Sequence, residues 1–119
     1  MGTNCFIVIE HKDKTVTYIF CHFDGYPSNM IPLLRMYSTR SDVEKLIGNG
    51  SIAYLQEPTK EIQPNNYPIT TLINRWKFRE DWLNGVMDIS VHYYYIFTKE
   101  DEWQCESNIA MNFNDIINE

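Results

Sequence analysis

The residues whose types and spacing suit chemistry lie in one short stretch, Cys21-His22-Phe23-Asp24-Gly25-Tyr26-Pro27. A strand that carries His22 to its end leaves Asp24 in the following turn. There the carboxylate can orient the imidazole or join it at a divalent metal, with His92 as a third ligand. That constellation is the kernel of a small metal-assisted hydrolase. The competing reading is structural: His22 ends a strand, while Asp24-Gly25 makes an Asx-type turn in which the carboxylate accepts backbone amides and Gly25 takes positive φ. His-x-Asp is by itself a weak metal signal, because further ligands at metal-binding spacing are missing nearby. Cys21 and His22 are neighbours on a strand, so they point to opposite faces and do not form a nucleophile and base pair. No phosphate-binding glycine loop, G-x-S-x-G or H-E-x-x-H sequence occurs elsewhere.

The elements that position this stretch follow from periodicity. Cys5 to Glu10 and Thr15 to Phe23 are β-branched and aromatic runs joined by the polar tetrad His11-Lys12-Asp13-Lys14, which predicts a hairpin. After Pro27 the period changes to that of a helix. Ser28 can cap it, Pro32 still falls in its first turn, and Met30, Leu33, Leu34 and Tyr37 form its apolar stripe. Ser41-Asp42-Val43-Glu44 reads as a capping box opening a second helix, which Gly48 or Gly50 ends.

Gln56 to Pro68 is polar and proline-containing, hence a surface loop. Ile69, Leu72, Ile73 and Trp76 have helical spacing, extended by Trp82 and Leu83 up to Asn84-Gly85. Ser90 to Thr98 and Trp103 to Glu106 predict a second hairpin around the turn Lys99-Glu100-Asp101-Glu102. Ile109, Phe113, Ile116 and Ile117 predict a short terminal helix. The expected fold is one α+β domain over residues 1–119, an antiparallel sheet of two β-hairpins covered by helices.

Composition bounds the function classes. At 119 residues and 44% hydrophobic, the chain suits one domain with a substantial core. Its apolar runs reach only about five residues, against the roughly 20 that span a bilayer, so no membrane association is expected. Neither a basic n-region nor a long apolar h-region opens the sequence, and Cys5, Cys21 and Cys105 are an odd set without C-x-x-C spacing. Together these predict reduced core thiols in a cytoplasmic protein without a cofactor.

Charge is uneven. Residues 1–79 carry a net +2 and residues 80–119 a net −8, so the acidity sits in the last third. No basic stripe is present to neutralise phosphates, which argues against nucleic acid as a partner. The acidic end serves solubility, meets a basic protein surface, or imitates DNA phosphates.

Aromatic side chains supply material for binding. Tyr26, Trp76, Trp82, Tyr94 and Trp103, beside the acids Glu100, Asp101 and Glu102, form the candidate interface, since Tyr and Trp dominate interface hot spots. Core packing competes for the same residues.

The segment Tyr18 to Pro27, with its H-x-D-G-Y-P signature and following apolar helix, resembles a family of small phage and prophage proteins. The likeness covers about the first 55 residues, including the Ser41 to Ile47 helix and its glycine-rich exit. In length and acidity the chain is similar to phage anti-defence proteins that inhibit defence-associated sirtuins, bacterial enzymes that degrade NAD. The resemblance implies stoichiometric binding to a host defence protein, with no catalytic residues, and makes the signature a scaffold turn launching the first helix.

Overall fold

The computed structural model describes residues 3–62, 69–84, 86 and 91–107. Its fold is α+β, a five-stranded sheet with helices on both faces. The first hairpin forms as its pattern predicts, with β1 (Asn4–Glu10) antiparallel to β2 (Val16–Cys21) in a register that sets Cys5 opposite Cys21 and Glu10 opposite Val16. Its tip is held by Asp13, whose carboxylate accepts from the Thr15 amide at 3.0 Å and the Thr15 hydroxyl at 2.6 Å.

Two helices follow. The first, α1 (Pro27–Met36), starts earlier than expected: Tyr26, not Ser28, is the N-cap, and Pro27 takes the first helical position. Proline there supplies a helical φ and lacks only an amide that has no intrahelical partner anyway. Pro32 consequently falls inside the helix, where its ring removes the bond to the Ser28 carbonyl. The second helix, α2 (Arg40–Ile47), is capped by Thr39 rather than Ser41: the Thr39 hydroxyl accepts from the Asp42 amide at 3.1 Å. Gly48 caps its C-terminal end, and Gly50 takes a φ of 73°.

Ile69 to Trp76 is not one helix. Thr70–Leu72 forms β3, an edge strand antiparallel to β2, because its β-branched residues suit an extended backbone. Asn74 then caps α3 (Arg75–Leu83), accepting from the Lys77 amide at 2.8 Å. The second hairpin joins β4 (Val91–Phe97) to β5 (Trp103–Ser107). The expected terminal helix over 109–117 lies outside the described residues.

The strand order is β3-β2-β1-β4-β5, and the β1–β4 pair is parallel. The expected pair of hairpins is present, but their junction makes the sheet mixed. The long connection between β1 and β4 supplies the crossover that a parallel pair needs. β1 is therefore central and buried from Cys5 to Glu10, which explains its unbroken apolar run. On one face Cys5, Ile7, Ile9, Ile19, Tyr95 and Phe97 meet α1 and α2. On the other Phe6, Val8, Tyr94 and Ile96 meet Phe78 and Trp82 of α3.

Candidate interaction surface

The H-x-D-G-Y-P stretch is built into the scaffold. Beyond the end of β2, the His22 amide donates to the Ile52 carbonyl at 3.1 Å and the Phe23 amide to the Ala53 carbonyl at 2.8 Å. The His22 ring stands edge-on to Phe20, centroids 4.4 Å apart. Asp24, not Gly25, takes the left-handed conformation, with φ of 57°, and its carbonyl accepts from Asn29 Nδ2 at 2.7 Å.

Gly25 is needed for a different reason than φ. Its amide donates to the Thr3 carbonyl at 2.7 Å, and a Cβ on it would lie 2.8 Å from that oxygen and 2.9 Å from Cys5 Cβ. The Tyr95 hydroxyl, from β4, closes the turn by donating to the Gly25 carbonyl at 2.7 Å. His92 is exposed on β4, with β1 between its strand and the β2 strand that precedes His22. Among the described residues no three His, Cys, Asp or Glu side chains are grouped to hold a metal ion, so His22, Asp24 and His92 do not form the centre that the hydrolase reading requires.

The aromatic and acidic candidates separate into buried and exposed sets. Trp82 (5% exposed) and Tyr94 (1% exposed) are core residues, rings edge-to-face with centroids 4.6 Å apart. Tyr94 donates its hydroxyl to the Glu106 carboxylate; burial first, then that bond, push its ionisation well above the usual tyrosine range. Trp103 is half-buried: its ring packs on Phe97, and its Nε1 donates to the Tyr37 carbonyl at 3.0 Å, tying β5 to the end of α1.

Asp101 accepts from Arg40 Nε at 2.8 Å. The same guanidinium donates to the carbonyls of Glu10 at 3.0 Å and Thr98 at 2.8 Å while lying over the Phe97 ring. One side chain at the start of α2 thus ties together both hairpin tips. Glu100 and Glu102 are exposed beside this clamp, and Tyr26 is exposed at the start of α1.

The largest exposed aromatic is Trp76, 68% accessible on α3. Helical spacing explains why α3 is apolar on two sides: Phe78 and Trp82 point inward, while Trp76, Glu80 and Leu83 recur on the outer side. Leu83 is 58% exposed, and Ile73 (80%) and Val86, which flank the helix in the chain, are exposed as well, none of them singled out by the sequence as interface residues. Arg79 lies 5.6 Å over the Trp76 ring and faces Glu106 at 3.6 Å. Trp76, Arg79, Glu80, Leu83 and Asn84 line a shallow groove of about 380 Å³. An amphipathic ring, a cation and an exposed leucine on a capped helix make a contact surface. The signal that could have found it was the second apolar repeat of α3, which the helical reading of Ile69 to Trp76 merged into one stripe.

No family model, curated protein or solved structure matches this chain. No helix among the described residues is long and apolar enough to cross a membrane.

Proposed function

We propose that this protein acts by stoichiometric binding to a host defence enzyme, a sirtuin-domain protein that degrades NAD, and inhibits it without catalysis or a cofactor. The outer side of α3 carries the contact. The observation that supports this reading is the exposed pair Trp76 and Leu83 lining one groove of α3, with Ile73 and Val86 exposed just before and just after that helix. Apolar residues grouped in this way mark interaction sites, and Trp beside Arg is the usual composition of a binding hot spot. The partner class comes from the resemblance of the H-x-D-G-Y-P segment, whose geometry suits a scaffold role.

The test is NAD consumption by a purified defence-associated sirtuin titrated with this protein. Inhibition should be complete near one protein per enzyme, and Trp76→Ala should raise the amount needed by about tenfold or more. NAD consumption undiminished by an excess of the wild-type protein overturns the reading.

A further inference from the structure

Three buried thiols, Cys5, Cys21 and Cys105, share one face of the sheet beneath α1 and α2. Cys5 and Cys21 are direct partners across the antiparallel β1–β2 ladder. Facing residues in such a ladder have Cα atoms about 4.5–5.5 Å apart, inside the range of about 4.4–6.8 Å that a disulfide bridges. Cys105 belongs to β5, with β4 between it and Cys5. Two strand spacings are on the order of 10 Å, too far for a bridge without moving the backbone.

The pair lies directly under the 22–25 turn. The Gly25 backbone rests against Cys5 Cβ, and Cys21 Sγ donates to the Phe23 carbonyl at 3.5 Å. Tyr95 holds that turn down through the Gly25 carbonyl, and Asn29 holds it through the Asp24 carbonyl. We propose that Cys5 and Cys21 form a reversible cross-strand disulfide in the presence of a peroxide, and that the Tyr95–Gly25 latch sets how fast the peroxide reaches them.

The chemistry balances. A thiolate of the pair attacks the O–O bond of hydrogen peroxide, forming an S–O bond and releasing hydroxide, which is protonated to water. The second thiol displaces the sulfenic oxygen as a second water, so the S–S bond forms while two thiols lose two electrons and peroxide is reduced. Burial, and after it the contact with Cys21, push the Cys5 thiol up. Reaction in the closed state is therefore slow, and opening of the turn is the step that exposes a reactive thiolate.

The experiment treats the full chain with hydrogen peroxide and follows intact mass and non-reduced tryptic peptides; Lys12 and Lys14 lie between the two cysteines, so trypsin separates them unless they are bridged. Expected are a loss of about two mass units reversed by a dithiol reductant, a linked Cys5–Cys21 peptide pair, and the same product in Cys105→Ser. Tyr95→Phe should form it several-fold faster. Should Tyr95→Phe not fold, Asn29→Ala, which loosens the other tie on the turn, serves in its place. Addition of oxygen without the linked peptides, linkage through Cys105, or no reaction of the folded wild type overturns the disulfide. An unchanged rate in a folded latch variant overturns the role of the turn.

Discussion

The Tyr95 hydroxyl on β4 donates to the Gly25 carbonyl 2.7 Å away, joining residues seventy positions apart in the chain. That bond fastens the turn between β2 and α1 to the parallel pair at the centre of the sheet, and it is buried. The turn is thereby a junction of the two hairpins as well as the start of α1.

Removing one partner of a buried hydrogen bond leaves the other unsatisfied at a cost of about 1–3 kcal/mol. Tyr95→Phe should therefore lower stability by about that amount in urea unfolding while leaving the helix and strand content of the circular dichroism spectrum in place. Gly25→Ala should cost more, because the added Cβ meets the Thr3 carbonyl, just before the central strand β1, and Cys5 Cβ within it. Overpacking of this sort costs about 1–3 kcal/mol or more, on top of any strained hydrogen bond.

Trp76 and Trp82 are six residues apart on α3 and should respond oppositely. Trp82→Ala removes a ring buried against Tyr94 and should destabilise by about 3–5 kcal/mol. Trp76→Ala should change stability by only about 0.5 kcal/mol, while reducing inhibition of the partner enzyme. Thermal melting of both variants, set beside the titration of the enzyme, separates the two roles. A Trp76→Ala variant that melts as early as Trp82→Ala would show Trp76 to be structural.

Arg40 donates to an acid and two carbonyls in three directions. A lysine presents a compact ammonium and cannot reproduce that planar fork. Arg40→Lys should recover only part of the stability lost in Arg40→Ala, and Asp101→Asn should cost less than either, since the two carbonyl bonds survive. Urea midpoints of the three variants check the order.

Burial pushes the Cys105 thiol from the usual 9.0 up to about 12. The folded chain holds this proton more tightly than the unfolded chain, so the contribution to stability is fully present below about pH 9 and is lost as pH rises toward about 12. Urea midpoints measured across that window should fall less steeply for Cys105→Ala than for the wild type. Tyr94, raised by burial and by Glu106, keeps part of the alkaline slope in both.

Residues whose structure depends on near neighbours were legible in the sequence. The first hairpin needed only two β-prone runs and a polar tetrad, and α2 only a hydroxyl-capped apolar stripe, although its cap moved from Ser41 to Thr39. The 69–76 segment was misread because Ile69, Leu72, Ile73 and Trp76 have helical spacing while Thr70 and Thr71 favour a strand. Pairing with β2 decided between them. Of the candidate interface, Trp76 and Tyr26 are at the surface, whereas Trp82 and Tyr94 are in the core.

By itself, then, the sequence determined the two hairpins, the helices α1 and α2 and the supply of aromatic side chains, because period and capping are local properties. Only the tertiary structure decided the parallel junction of β1 with β4, the close approach that demands Gly25, and which side of α3 faces solvent. Each of these depends on residues far along the chain: Gly25 is glycine because Thr3 and Cys5 occupy the space, and Trp82 is core because Tyr94 covers it. Periodicity defines the faces of an element, but burial is settled by what folds against each face.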